Sequence, residues 1–456
     1  KATVQELYDG LVARGQNAWP SVRFDFGSVN NLLGRFFAAG FYYKTFMGIP
    51  PFEWGSGTGM WMRYERMIRK AAGMGEASRL PDPDHYEHAH AFCDLLVVGA
   101  GPSGIAAAQA AAESGLNVVL VEQDSLLGGT QLSTPSCGSE LIPSVEELES
   151  MGVRVMTRTT VFGLYDYSVA GLLERVTDHL PDPPDYLPRH RFWTLRSKYT
   201  IVAAGALERH IAFGNNDRPG VMTAAAVRTY MNRFAVLAGR NIIIATNNDS
   251  VYESAVELSS AGAQVTLLDA RNTVAKEYKQ HLDEHNIEVR CGMAPLQVQA
   301  AGHIAALEVA SADGDGWRAA STEPCDLVLV SGGWSPVVNL LSHRGVKPVW
   351  DSTQACFLAV ECAEPISVAG SAAGVWNSDD CVASGLAAAG DAIQLLRGQT
   401  SKITGPPAGG WQQPIQALYE VKVPDRKLKS FVDPQHDVTT EDVRLAHREG
   451  LSLIHI

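Results

Sequence analysis

Leu95-Leu96-Val97-Val98-Gly99-Ala100-Gly101-Pro102-Ser103-Gly104 is the stretch whose reading decides the fold. Four consecutive apolar residues predict a short buried strand, the glycines a turn, and the Ala-rich run from about residue 105 to 114 a helix. Val118-Val119-Leu120-Val121 then reads as a second strand, closed by Glu122. Strand, turn, helix, strand and acid stand in the register of a nucleotide-binding β-α-β unit. Gly99 permits the tight turn, Gly101 lets a pyrophosphate approach the backbone, and Gly104 lets helix and strand pack closely. The helix N-terminus supplies amides and a partial positive charge for phosphates. Glu122, about 20 residues on, suits a ribose 2′-hydroxyl and repels a 2′-phosphate, which favours FAD or NAD over NADP.

The pattern occurs a second time, in Ile242-Ile243-Ile244, a helix over about 251–260, and Val265-Thr266-Leu267-Leu268. Here Thr246, Asn248 and Val251 stand at the three glycine positions, within Thr246-Asn247-Asn248-Asp249-Ser250-Val251. Side chains then occupy the space that a pyrophosphate needs, and Asp249 adds a like charge. This unit is expected to keep the shape of a dinucleotide domain without binding a mobile nicotinamide. Strand-like runs follow at about 199–203, 327–330 and 366–368, the last leading into an Ala-rich helix over about 381–396. Two such units predict an α/β chain of paired three-layer domains with parallel sheets.

Composition narrows the function. The 456 residues carry a net charge of -13, 46% apolar and 19% charged residues, 42 glycines and seven cysteines. Disorder, collagen and coiled coil are excluded. Dispersed acidity argues against a nucleic-acid footprint or a polybasic membrane patch. No apolar run reaches the roughly 18 residues of a spanning helix, so a cytoplasmic protein working on small molecules is expected. Cys93, Cys137, Cys291, Cys325, Cys356, Cys362 and Cys381 form no Cys-x-x-Cys pair and read as reduced thiols, neither disulfides nor a zinc site.

Other motifs are weaker. Gly55-Ser56-Gly57-Thr58-Gly59 lacks a preceding strand and reads as a loop. Asp84-His85-Tyr86-Glu87-His88-Ala89-His90 offers metal-capable groups, but its position after Pro81-Asp82-Pro83 reads as a solvated linker. Cys137 has no partner nearby in sequence and reads as a bystander thiol. No catalytic acid, base or nucleophile and no metal ligand is assigned.

The chain resembles the alpha subunit of heterotetrameric sarcosine oxidase, in the pyridine nucleotide-disulfide oxidoreductase superfamily. The resemblance runs from Trp19-Pro20-Ser21-Val22-Arg23-Phe24-Asp25 and Ala39-Gly40-Phe41-Tyr42-Tyr43-Lys44-Thr45-Phe46-Met47, through Cys93-Asp94-Leu95-Leu96-Val97-Val98-Gly99, to Asp437-Val438-Thr439-Thr440-Glu441-Asp442-Val443. Ala203-Ala204-Gly205-Ala206-Leu207-Glu208-Arg209 and Asn216-Asp217-Arg218-Pro219-Gly220-Val221-Met222 are shared more widely, with amino-acid and opine dehydrogenase subunits.

The resemblance implies two Rossmann-like domains of the disulfide-oxidoreductase type. Residues 1–90 would be an N-terminal wrapping segment and linker, 91–215 the first dinucleotide-binding domain, and 216–325 a second with a degenerate glycine loop. Residues 326–400 would return to the first domain, and 401–456 form a short tail resembling a cluster-less iron-sulfur-type module. It further implies NAD on this chain, at Gly99, Gly101, Gly104 and Glu122, with Gly129 and Gly205 as weaker contacts. The partners would be beta, gamma and delta subunits, with FAD and FMN on or at the beta subunit, which oxidises sarcosine. Tetrahydrofolate would bind through a C-terminal domain, giving glycine, 5,10-methylenetetrahydrofolate and hydrogen peroxide. The start at Lys1 and the ending after Gly450 are expected to reflect truncation at both ends.

Two departures sharpen these expectations. Ser371, in Val368-Ala369-Gly370-Ser371-Ala372-Ala373-Gly374, stands where flavin-bearing relatives place an acid on the ribityl chain, which NAD lacks. Asp433 and Gln435 stand where opine-type relatives have cluster-ligating cysteines, before Val438-Thr439, so no two-iron two-sulfur cluster is expected. The rival readings are a self-contained FAD-dependent amine, amino-acid or NADH oxidoreductase, and a non-catalytic dinucleotide-binding assembly subunit.

Overall fold

The computed structural model describes residues 6–12, 20–21, 24–26, 65, 69, 80–135, 142–301, 303–314, 316–342, 344–359, 364–398, 414–424 and 426–451. Most of the aromatic N-terminal block, the glycine loop at 55–59, Cys137, Cys362 and residues 452–456 lie outside this set. The chain divides into two compact units, Lys1–Tyr86 with Val176–His190, and Glu87–Arg175 with Arg191–Ile456. In the first, Arg189 pairs with Asp84 at 2.6 Å and Asp178 at 2.7 Å.

The larger unit holds two lobes, each built on a sheet. Its chain runs through β1 (Tyr86–Val98), α1 (Pro102–Glu113), β2 (Val118–Val121) and β3 (Val153–Met156). An antiparallel pair follows, β4 (Thr159–Tyr165) and β5 (Val169–Arg175), and then β6 (His190–Val202). The resulting sheet has the order β3-β2-β1-β6-β5-β4, with β1, β2 and β3 parallel. The second lobe contains β7 (Val221–Thr223), α2 (Ala224–Phe234), β8 (Asn241–Thr246), α3 (Tyr252–Ser260), β9 (Gln264–Asp269) and β10 (Glu288–Cys291). After an antiparallel meander, β11 (Met293–Ala301), β12 (His303–Asp313) and β13 (Gly316–Pro324), β14 (Leu327–Ser331) completes an all-parallel sheet ordered β7-β14-β8-β9-β10. The chain then rejoins the first sheet as β15 (Ile366–Val368), parallel to β6, and continues into α4 (Ser378–Leu396). At the crossing between lobes the outgoing segment Ala206–Glu208 pairs antiparallel with the returning Trp334–Pro336.

Both central strands read as unbroken apolar runs because each is covered on two faces. Leu95 and Val97 join the core under α1 and α4, with Ile105, Ala107 and Ala388, whereas Leu96 and Val98 join the opposite core with Leu164, Leu172 and Leu340. Ile243 and the pair Ile242 and Ile244 divide between two cores in the same way. Each such side chain stabilises the fold by roughly 1.5–3 kcal/mol.

Three boundaries differ from the sequence reading. The first helix starts at Pro102, where proline's fixed φ and missing N–H suit the first helical position. The strand read at about 199–203 is thirteen residues long, His190–Val202. The stretch read as a linker from Asp84 to His90 is in large part strand, since β1 begins at Tyr86 and its partner β6 is equally long. Its polar half is held by side chains, with Glu87 2.8 Å from Arg191 and the His88 ring 5.4 Å from Phe192. No helix among the described residues is long and apolar enough to cross a membrane.

Near the C-terminus, Phe431–Asp433 pairs with Val438–Thr439 ahead of the helix Thr440–Arg448. Asn216 grips this module, accepting from the Phe431 N–H at 2.8 Å and donating to its carbonyl at 2.9 Å. Asp433 accepts from the amides of Gln435 and His436 and stays below the ordinary carboxyl range chiefly through its hydrogen bond with the His436 ring.

Candidate functional site

The glycine loop between β1 and α1 separates the requirements of packing from those of a ligand. A Cβ on Gly104 would lie 1.9 Å from the Gly99 carbonyl oxygen, and one on Gly99, whose φ is +101°, 2.3 Å from the Ala203 carbonyl oxygen. Those two glycines are demanded by the protein itself. Gly101 differs, because a Cβ there would meet nothing within 4 Å. Its side of the loop is open space, as a phosphate approaching the backbone requires.

Gly101 is also the N-cap of α1, so no side chain caps the helix, and its first turn carries no acid. The first-turn amides of a helix lack intrahelical partners and carry partial positive charge. Ser103 adds an orphan: its hydroxyl is buried, with the residue 5% exposed, and has no hydrogen-bond partner among the described residues. An unmet buried hydroxyl beside an uncapped helix start fits an anionic ligand group.

Glu122 closes the opposite side. The residue is 8% exposed, and its carboxylate accepts from the Ala100 N–H at 2.7 Å and the Asp124 N–H at 2.9 Å. The acid read as a ribose acceptor therefore also pins the glycine loop to the end of β2. Each carboxylate oxygen keeps a further acceptor site for a hydroxyl. Gly129 folds back over the loop, since a Cβ there would lie 3.1 Å from Gly101 Cα, and the Gly128 N–H donates to the Ala100 carbonyl at 2.8 Å. Gly205, with φ +73° and open space around it, lies beyond β6 and two residues after Ala203, on which Gly99 packs. Five of the six predicted positions thus line one loop, and Gly205 borders the neighbouring strand end.

Sequence reasoning missed the back wall. A Cβ on Gly385, inside α4, would lie 2.0 Å from the Ser103 carbonyl oxygen, and one on Gly370 2.8 Å from Ser103 Cβ. The Gly370 N–H donates to Ser384 Oγ at 3.0 Å. A glycine interrupting an Ala-rich helix was the available signal, but its reason is a contact with a helix more than 270 residues earlier. Ser371 lies on the turn after β15, with Oγ 3.8 Å from Cys381 Sγ.

The corresponding crevice of the second lobe is filled. Thr246, Asn247 and Asn248 are at most 1% exposed. Asn248 Nδ2 donates to Asn247 Oδ1, the Ser331 carbonyl and Ser331 Oγ, while its Oδ1 accepts from Ser250 N–H and Oγ–H. Asn247 donates to the Gln416 carbonyl at 2.7 Å, so the tail lies across the end of β8. Asp249 is not an exposed charge: Arg271 Nη1 lies 2.8 Å from its Oδ1, and Arg271 also pairs with Asp269 at 2.9 Å. Asp269, the acid ending β9, in turn accepts from the Tyr252 hydroxyl at 2.6 Å. The acid that could serve a second ribose is consumed inside the protein.

The described cysteines are free thiols. Burial pushes Cys93 up to about 12 and Cys325 and Cys356 to about 11, which leaves them protonated and poorly nucleophilic.

Two lobes of this topology, one open glycine crevice and one filled one, define a dinucleotide-binding oxidoreductase fold. The sequence pattern of the family described as pyridine nucleotide-disulphide oxidoreductase matches residues 93–354, and the chain belongs to that family. The family indicates a dinucleotide cofactor, FAD or NAD. Over its whole length the chain is homologous to sarcosine oxidase alpha subunits, being 40% identical to that of Rhizobium meliloti (strain 1021) and covering 45% of that protein. It is 35% identical to the sarcosine oxidase subunit alpha of Corynebacterium sp. (strain U-96), over 84% of this chain and 42% of that one. The chain thus spans less than half the length of these curated relatives. Among solved structures, L-proline dehydrogenase from P. horikoshii superposes with a TM-score of 0.56 at 18% identity, covering 80% of this chain and 68% of the other. Lactococcus lactis thioredoxin reductase does so with 0.51 at 19%, covering 67% and 99%. Both likenesses concern the fold.

Proposed function

We propose that this chain is the nucleotide-binding portion of a sarcosine oxidase alpha subunit and that its first crevice holds NAD. The observation that carries the reading is the contrast between the crevices: one has an uncapped helix start, open space at Gly101 and an orphaned Ser103 hydroxyl, and the other is packed with its own side chains. The first-turn amides of α1 would take the pyrophosphate and Glu122 the adenosine ribose, with Gly129 and Gly205 bordering the remainder. NAD, when bound, supplies a ring able to accept a hydride. The residues around the crevice bind and orient; among the described residues there, none is a free acid, base or nucleophile suited to the oxidation of an amine. Oxidation of sarcosine is accordingly assigned to flavins of a beta subunit, within a complex that also has gamma and delta subunits. Ser371 supports NAD over FAD, since no carboxylate stands on that turn for a ribityl chain.

The test is the visible spectrum of the purified chain together with the nucleotide it releases on denaturation. A stoichiometric yellow flavin band would replace the NAD reading with the self-contained flavoenzyme. Bound NAD should stay oxidised when the beta subunit and sarcosine are added, and its reduction would overturn the scaffold role. Glu122→Ala should weaken nucleotide retention.

A further inference from the structure

The turn after Glu122 carries charges that the glycine motif does not explain. The Asp124 N–H anchors Glu122, and the Asp124 carboxylate meets Arg233 of α2 through two contacts, 2.7 Å to Nη1 and 3.3 Å to Nη2. Arg233 comes from the second lobe, so this pair spans the two sheets beside the adenosine end of the first crevice. The side chains are 21% and 35% exposed, which leaves the pair only partly screened. Burial alone would raise the Asp124 carboxyl, but the hydrogen bond and charge of Arg233 outweigh it and hold the group below its ordinary value. A second cation, Arg175, donates to the Gln123 carbonyl on the same turn. Arg233 is thus linked through Asp124 to the ribose acid. An arginine at that place is what accommodates a 2′-phosphate in dinucleotide folds.

We propose that Asp124 is a specificity residue: by engaging Arg233 it keeps that guanidinium from serving a 2′-phosphate, so the crevice takes adenine dinucleotides with a free 2′-hydroxyl. The inference rests on the first crevice being the nucleotide site. Glu122 alone repels a 2′-phosphate, but beside an unengaged arginine its charge would be offset. Asp124 also organises its own turn, its Oδ1 accepting from the Ser125 N–H at 2.7 Å. Asp124→Asn keeps that acceptor and removes the charge, which separates the two roles.

Titration calorimetry of the chain with ADP-ribose and with 2′-phospho-ADP-ribose tests this and depends on neither FAD nor NAD identity. Wild type should prefer ADP-ribose. Asp124→Asn should narrow the preference by about tenfold, the scale of one added charge contact in a partly exposed site, with ADP-ribose affinity nearly unchanged. Asp124→Asn combined with Arg233→Met should restore the wild-type ratio, because the freed cation is gone. An unchanged ratio in the single variant, or a gain that survives in the double variant, overturns the role of Asp124 while leaving the crevice intact. Absence of ADP-ribose binding by wild type would instead refute the crevice reading, and the specificity role with it.

Discussion

Glu208 should make the protein less stable as pH rises, and neutralising it should reverse that loss. It sits at the crossing between the lobes, where its Oε2 accepts from the Ala225 N–H at 2.7 Å, at the start of α2. Burial pushes its carboxyl up from 4.5 to about 7, with the Ala225 amide and the Ser331 and Thr223 hydroxyls opposing that rise. Between those two values the folded protein binds a proton that the unfolded chain has released, so stability is fully present below about 4.5 and declines as pH climbs to 7. At about 1.4 kcal/mol per pH unit between those two values the ceiling is about 3.5 kcal/mol. Partial exposure of the residue trims this to an expected 1–2 kcal/mol, of order. In Glu208→Gln the side-chain carbonyl still accepts from Ala225 and no charge forms. Urea unfolding of both proteins at pH 5 and pH 8 should therefore give near-equal stabilities at the lower pH and a more stable variant at the higher. Equal differences at both pH values, or a variant less stable at pH 8, would refute the reasoning.

The two glycines of the loop predict opposite phenotypes. Gly101→Ala meets open space, so melting should barely move while ADP-ribose affinity falls at least about tenfold; Gly104→Ala must displace the Gly99 carbonyl and should cost about 1–3 kcal/mol of stability in thermal unfolding. Arg271→Leu removes the cation paired with both Asp249 and Asp269 in the second lobe, and chemical denaturation should register a loss of about 3–5 kcal/mol. Asn216→Ala removes both hydrogen bonds to Phe431 and should release the C-terminal module to limited proteolysis before the lobes melt, with intact protection counting against the anchor.

Much of the fold is legible locally. Leu95 through Gly104 specifies a doubly covered strand, a tight turn and a helix start within ten residues, and the second lobe shows the same order with Thr246 and Asn248 in the glycine places. The side chains in the glycine places, with Asp249 read as an added like charge, lead to the expectation of a second crevice without a mobile nicotinamide. What sequence reasoning could not supply depends on partners far along the chain. Asp249 reads as a repelling charge until Arg271 is seen beside it. His88 and His90 read as linker because the ladder that makes them strand comes from β6, about a hundred residues later. Asp124 shows no motif at all, since its meaning lies in Arg233 on another lobe.

The pairing of Ala206–Glu208 with Trp334–Pro336 has a topological consequence. The chain leaves for the second lobe and comes back through adjacent hydrogen-bonded strands, so the ends of the excursion lie about 5 Å apart, one cross-strand spacing. The second lobe is in effect spliced into the first at a single seam. A two- or three-residue turn could rejoin Glu208 to Trp334, making the first lobe excisable as a minimal nucleotide module whose glycine crevice would then be judged without its neighbour.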